Sequence, residues 1–251
     1  GAQIFAEGTR NNPIIFTAEI DDTEDAEDMF VDDRGLWGGL IVLGNASITD
    51  EVDEVIVEGL PADDDRSLYG GSDDMDNSGV LKYISIRHGG AELAPGEEIN
   101  GLTMGGVGSG TSVSFVEVLA NLDDGIEFFG GTVDLKYASV AFCGDDAIDW
   151  DTGWRGRGQF WSVLQGTDAA DNGAEMDGAK PDANTPSSNP QVYNVTYVGA
   201  GQGATAANEH ALYFRESVRQ LETPLQRQGR ERKIETRSGE RQPPEIAAHV
   251  A

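Results

Sequence analysis

The chain has 251 residues, 45 of them acidic against 17 basic, for a formal charge of −28. Such a surface repels duplex nucleic acid and anionic membranes and attracts cations, so no nucleic-acid partner is expected. The single cysteine, Cys143, excludes an internal disulfide framework and, with few ligands near it, structural zinc; it reads as a small buried residue.

Gln3-Ile4-Phe5-Ala6 and Pro13-Ile14-Ile15-Phe16-Thr17 are short β-branched and aromatic runs split by turn-formers, which predicts two strands around one corner. Residues 21–33 are acidic without apolar periodicity and predict a protruding loop. Residues 36–43 resume a strand, Val55-Ile56-Val57 gives another, and residues 61–79 predict a second acidic loop. From Val80 the pattern becomes regular. Residues 81–86, 113–118, 135–140 and 158–163 align position for position, and Tyr193-Asn194-Val195 fits the last three places of a fifth copy. Period-two alternation sends Ile84/Ile86, Val116/Val118, Ala138/Val140 and Trp161/Val163 inward and Ser85, Glu117, Ser139 and Ser162 outward, with a corner before each.

A second motif recurs between these runs. It reads Asn100-Gly101-Leu102-Thr103-Met104, Asp123-Asp124-Gly125-Ile126-Glu127-Phe128, Asp145-Asp146-Ala147-Ile148-Asp149-Trp150, Asp171-Asn172-Gly173-Ala174-Glu175-Met176 and Glu209-His210-Ala211-Leu212-Tyr213-Phe214. The second and third copies lie 22 residues apart. Self-similarity at this period marks stacked coils, because each unit buries its apolar side only against the next. Ile126/Phe128, Ile148/Trp150, Ala174/Met176 and Leu212/Phe214 would stack inside, with Glu127, Asp149 and Glu175 outside; Val133-Asp134-Leu135 supplies a third face. No helical periodicity of useful length appears up to Phe214, and no stretch is apolar enough to span a bilayer. The fold class is therefore all-β, a right-handed single-stranded parallel β-helix with about 22–32 residues and three short strands per coil.

Residues 1–214 form this solenoid, with insertions near 21–33, 61–79 and 180–190. Residues 215–251 hold eight of the 17 basic residues and no glycine-punctuated coil, which reads as a disordered tail, a cap or a non-native stretch. An open β-helix end exposes unpaired backbone, so further coils or a cap are expected after residue 214. The start at Gly1, without a charged-then-apolar leader, fits a processed signal peptide or an internal piece.

Corner residues of successive coils lie about 4.8 Å apart, so Asp123/Asp145/Asp171 and Asp124/Asp146/Asn172 should form two acidic ladders. Crowded carboxylates persist by binding a cation, by holding protons or by screening at an edge. Calcium is the hard cation that Asp123, Asp124, Asp145, Asp146 and Asp171 would take, although the fold itself requires no cofactor. The structural alternative is that aspartate suits the turn by accepting neighbouring amides. Trp150-Asp151-Thr152-Gly153-Trp154-Arg155-Gly156-Arg157 gathers indoles and guanidinium groups at one corner. There Trp154 could offer a flat face to a sugar while Arg155 or Arg157 bonds hydroxyls or a uronate, unless Trp150 belongs to the inward ladder and the arginines neutralise neighbouring aspartates. His88 reads as a structural imidazole.

With Gly1-Ala-Gln-Ile-Phe-Ala-Glu-Gly-Thr9, Asn12 to Thr17, Leu36-Trp37-Gly38-Gly39-Leu40-Ile41 and Leu81 to Gly90, the chain resembles secreted or surface right-handed β-helix proteins of marine and gliding bacteria, within the pectate-lyase-like superfold. The resemblance spans residues 1–214 and implies a secreted or outer-surface location without an assigned reaction. Asn121-Leu122-Asp123-Asp124 and Gly144-Asp145-Asp146 are locally similar to polygalacturonase-type glycoside hydrolases, which would make Asp124, Asp145 and Asp146 catalytic. That family's glycine-histidine-glycine element is replaced here by Asp171-Asn172-Gly173, and no arginine-x-lysine follows. The reading that results is a non-enzymatic surface β-helix for adhesion, carbohydrate contact or assembly, with a polysaccharide or surface glycan as partner. A polysaccharide hydrolase using the stacked aspartates is the alternative.

Overall fold

The computed structural model describes residues 2–49, 53–61, 63–94, 96, 98–207 and 209–216, with two short strands beyond them. In chain order the strands are β1 (Ile4–Glu7), β2 (Ile14–Phe16), β3 (Leu40–Leu43), β4 (Val55–Ile56), β5 (Leu68–Tyr69), β6 (Gly79–Arg87), β7 (Leu102–Gly105) and β8 (Ser112–Leu119). Then follow β9 (Ile126–Phe129), β10 (Asp134–Ala141), β11 (Ile148–Asp151), β12 (Arg157–Leu164), β13 (Glu175–Asp177), β14 (Gln191–Val198), β15 (Tyr213–Arg215), β16 (Gln226–Gln228) and β17 (Glu235–Thr236).

From β6 onward the chain alternates between two parallel ladders. One runs β1-β6-β8-β10-β12-β14-β16 with β2 also beside β6; the other runs β17-β15-β13-β11-β9-β7-β3. This is a right-handed parallel β-helix. Its interior is built from aligned columns such as Leu40, Leu102, Ile126 and Ile148, or Val42, Met104, Phe128, Trp150 and Met176. Most of these side chains are fully buried, each contributing roughly 1.5–3 kcal/mol relative to exposure. No helix among the described residues is long and apolar enough to cross a membrane.

The long strands β6, β8, β10, β12 and β14 each contain one residue in the left-handed region: Tyr83, Phe115, Tyr137, Phe160 and Asn194, with φ between 49° and 64°. These are the corners expected from the sequence, and they reset the alternation: Leu81 and Ile84, three residues apart, both point inward. In the first coil the same corner is a loop, since β1 pairs with Gly79–Lys82 and β2 with Ile84–Ile86. A left-handed non-glycine residue costs about 1–2 kcal/mol. Here the rings stack in sequence, with centroids 4.2 Å apart for Tyr83–Phe115, 4.4 Å for Phe115–Tyr137 and 5.2 Å for Tyr137–Phe160. Such stacking returns about 0.5–1.5 kcal/mol per pair, a term of the same size.

Some sequence expectations need correction. Tyr193-Asn194-Val195 lies opposite Gln159 to Trp161, two places earlier than expected, because the left-handed corner and not the hydrophobic count sets the register. Residues 61–79 are not simply a loop: Asp65–Ser67 forms a 3-10 turn and β5 pairs antiparallel with β4. The ladders also pass Phe214, since Thr196–Val198 pair with β16 and Tyr213–Phe214 with β17. The remainder of the tail assigned to 215–251 lies outside the described residues.

Candidate functional site

The second ladder carries its acids outward. Because side chains alternate across a strand, the register that stacks Ile126 on Ile148 also stacks Glu127, Asp149 and Glu175 in an outer column. Asp151 and Asp177 extend a neighbouring column, in line with Phe129 and with Arg215. At the corner just before these strands stand Asp123 and Asp124, then Asp145 and Asp146, then Asp171. Together with Glu58 of the β4–β5 hairpin they line a trough of about 280 Å³, in which Arg215 is the single basic side chain.

Carboxylate oxygens within this trough crowd to 4.8 Å or less in overlapping triads: Asp123/Asp124/Asp145, Asp124/Glu127/Asp149, Asp145/Asp146/Asp171 and Asp146/Asp149/Glu175. A further triad, Asp151/Asp177/Glu216, lies beside them. Oxygen-only donors at this density suit a hard cation. Asp149 Oδ1 and Asp171 Oδ1 are buried and accept no hydrogen bond from any described residue.

Burial, with mutual repulsion second, raises the proton affinity of these groups. Asp123 is pushed up to about 7 by burial, then by Asp145, Glu58 and Glu98. Glu175 also reaches about 7 through burial, a rise that Arg215 moderates. Asp124, Glu127, Asp146 and Asp149 stand well above the usual carboxylate range, burial again first.

The two corner columns differ in their bonding. Asp124 Oδ1 accepts the Asp146 amide at 2.8 Å, and Asp146 Oδ1 accepts the Asn172 amide at 2.5 Å. The relay ends where the Asn172 side-chain oxygen meets His210 Nδ1 at 2.9 Å. These bonds link coil to coil, so the structural account of the aspartates applies to this column. Asp123 and Asp145 accept no such bond among the described residues, and Asp145 is exposed. Glu127 is held by the Asn100 side chain, Arg215 by Asp177 and Glu175.

All five aspartates expected as metal ligands, including the three expected as catalytic, thus meet in one trough. Glu127, Asp149 and Glu175 complete it; period-two alternation placed them outside, and only the register shows that they share the aspartates' face. Asp151, Asp177 and Glu58 carried no sequence signal of membership.

The expectation for Trp154, Arg155 and Arg157 is corrected. Trp154 is fully buried, stacked on Phe128 at 3.9 Å, and donates its indole N–H to Val133 O, so it offers no face to a sugar. Arg155 reaches back to Asp74 and Ser47, while Arg157 pairs with Asp134 at 2.5 Å. Both arginines neutralise aspartates. His88 is buried with Nδ1 on Asp33 O, and Cys143 is buried with its thiol pushed up to about 12.

No curated protein and no solved structure matches the chain. A family model, described as a pectate-lyase-like beta helix domain, matches residues 1–241. Those residues take in the whole trough and every strand of both ladders, and the chain therefore belongs to the pectate-lyase-like β-helix family.

Proposed function

We propose that this protein is a secreted or outer-surface β-helix that loads hard cations, calcium foremost, into its acidic trough and uses the loaded face for carbohydrate contact or adhesion. The observation that carries the reading is the overlap of the carboxylate triads: Asp124, Asp145, Asp146 and Asp149 each belong to two of them. A cation in any one triad therefore lowers the repulsion in its neighbours. Rigid backbone spacing prevents the carboxylates from separating, so protons or cations must supply the missing charge. Extracellular calcium modules work at about 10⁻⁴–10⁻³ M, which suits an exposed outward face. Coordination positions left by the protein oxygens would be open to hydroxyl or carboxylate oxygens of a glycan.

Isothermal titration of chelator-stripped protein with calcium chloride at pH 8 tests this. Binding is expected for the wild type and at least tenfold weaker binding for Asp145→Asn/Asp149→Asn; absence of calcium binding by the wild type sinks the proposal.

A second reading, polysaccharide hydrolysis by Asp124, Asp145 and Asp146, draws support from one observation. Asp145 and Asp146 share a triad and both are raised above the ordinary range, burial first in each and Asp146 the further, so the two carboxyls are placed to share a proton as an acid and base pair would. Reducing ends released from polysaccharide, and lost in Asp145→Asn, would favour it over binding alone.

A further inference from the structure

One outer face of the long-strand ladder differs from the rest of the surface in its charge. It lies between the corner of stacked rings and a second left-handed corner at His88, Ala120 and Phe142. Three columns run along it, parallel to the coil axis. The first is the ridge of Tyr83, Phe115, Tyr137 and Phe160. The middle column is mostly small, with Ser85, Ser139, Ser162 and Thr196 interrupted by Glu117. The third passes from Arg87 to the aliphatic stripe of Leu119, Ala141, Leu164 and Val198.

Arg87 and Glu117 are the charged residues of these columns, and they pair with each other at 3.5 Å. Ser85 donates to Glu117 at 2.6 Å and Arg87 Nε donates to Ser85 at 2.8 Å, which holds both in place. Elsewhere the coil is charged: the trough lies on the other ladder, and Glu7, Lys82 and Lys136 share a column on the far side of the ridge. In a chain of formal charge −28, this near-neutral face is where a second copy meets the least repulsion. It also has apolar surface to cover, since Tyr137, Phe160 and Leu164 are 38%, 42% and 40% exposed.

We infer that this face is the interface of a symmetric dimer, independent of cation loading in the trough. Its relief fits itself in one orientation. A ring and an aliphatic residue stand four positions apart on the same strand, on either side of the small column: Phe115 and Leu119, Tyr137 and Ala141, Phe160 and Leu164. A two-fold axis in the plane of the face and parallel to the coil axis keeps every rung level and exchanges the two outer columns. Each ring then seats over the other copy's aliphatic residue, the large Tyr137 over the small Ala141. The groove of about 340 Å³ beside the rings, floored by Ser85, Glu117 and Ser139, receives the partner's middle column. An axis across the coils would instead set ridge on ridge and hold the faces apart. From Ile15 to Thr196 the middle column spans six rungs, roughly 24 Å, and the three columns are about 13 Å wide. With the relief of the rings that gives about 1,000 Å² over both copies, the lower limit of a specific interface. The contact is isologous and closes at two copies.

Sedimentation equilibrium of the full chain in chelator, up to about 200 μM, tests this; that range matches a dissociation constant of tens of micromolar. A monomer–dimer equilibrium is expected, at least threefold tighter in about 500 mM than in about 50 mM sodium chloride, because salt screens the repulsion between the acidic copies. Ser139→Arg, at an exposed site on the midline, should weaken it at least tenfold. Glu117→Gln keeps the oxygen that accepts from Ser85 but removes the like charges that meet at the two-fold axis, so it should tighten it. A short bis-maleimide should link Ser139→Cys copies and not Lys136→Cys copies, the native Cys143 being buried. A chain that stays monomeric, grows past two copies or associates less at high salt would overturn the inference. So would wild-type association by Ser139→Arg at an unchanged melting temperature, or linkage through Lys136→Cys.

Discussion

The carboxylate of Asp124 accepts the backbone N–H of Asp146 at 2.8 Å, one coil further along. The bond ties two rungs together, yet the same carboxylate is repelled by Asp146, Asp149 and Glu127. Asp124→Ala removes the acceptor and strands a buried amide, which should destabilise by about 1–3 kcal/mol. Asp124→Asn keeps a carbonyl oxygen and removes the charge, so its stability should equal or exceed wild type. Urea midpoints in chelator separate the two; equal losses would show that the bond contributes nothing.

Without calcium, stability should fall as pH rises. Asp123 and Glu175 have ordinary values of 3.8 and 4.5 and reach about 7 when folded, burial being the first cause of each shift. Between those limits the folded chain holds more protons than the unfolded one, so raising the pH draws the equilibrium toward unfolding. Melting temperatures in chelator should decline from about pH 4 through pH 7, and the raised Asp124, Glu127, Asp146 and Asp149 act in the same direction. Asp168, which its hydrogen bond to Arg34 holds below its ordinary value, titrates beneath that window and leaves the trend intact. A flat or rising profile would contradict the shifts.

Calcium should reverse that decline. If a trough site binds in the range of about 10⁻⁴–10⁻³ M, 10 mM calcium stabilises by about 1–3 kcal/mol. For a chain this long that is roughly 2–4 °C per kcal/mol. The shift should be large at pH 8 and small at pH 5, where protons occupy the same oxygens, and Asp149→Asn should reduce it. Calorimetry at the two pH values is the check.

Trp154→Ala should cost about 3–5 kcal/mol, because the indole is fully buried between Phe128 and Trp161 and bonded to Val133 O. Arg157→Gln, by contrast, removes an exposed pair with Asp134, worth at most about 1 kcal/mol. Denaturant curves of the two variants should differ accordingly; a mild Trp154→Ala would place that side chain outside the core.

Fold was legible because the repeat obeys two simple periods, alternation within a strand and recurrence between coils, and Ile126 on Ile148, and Phe128, Trp150 and Met176 in the next column, stack where those periods put them. What the sequence does not show is that each expected corner turns on one left-handed residue. Nothing local to Tyr83 or Phe160 marks a left-handed residue, since aromatic side chains favour strands and only the stack of rings offsets the strain. The same blindness shifted Tyr193 by two places. Of the trough, the aspartate pairs were visible as repeats, whereas the approach of Glu58 depends on the β4–β5 hairpin folding back, which no periodicity encodes. Trp154 was misjudged because an indole at a turn reads alike whether it faces water or the axis.

Each rung of the trough is pinned by main-chain hydrogen bonds to the rungs on either side. Its ion capacity therefore cannot be tuned by stretching or compressing. It changes only in whole units, as coils bearing an aspartate pair are gained or lost, so that a longer version of this molecule would hold proportionally more charge while keeping every existing interval the same.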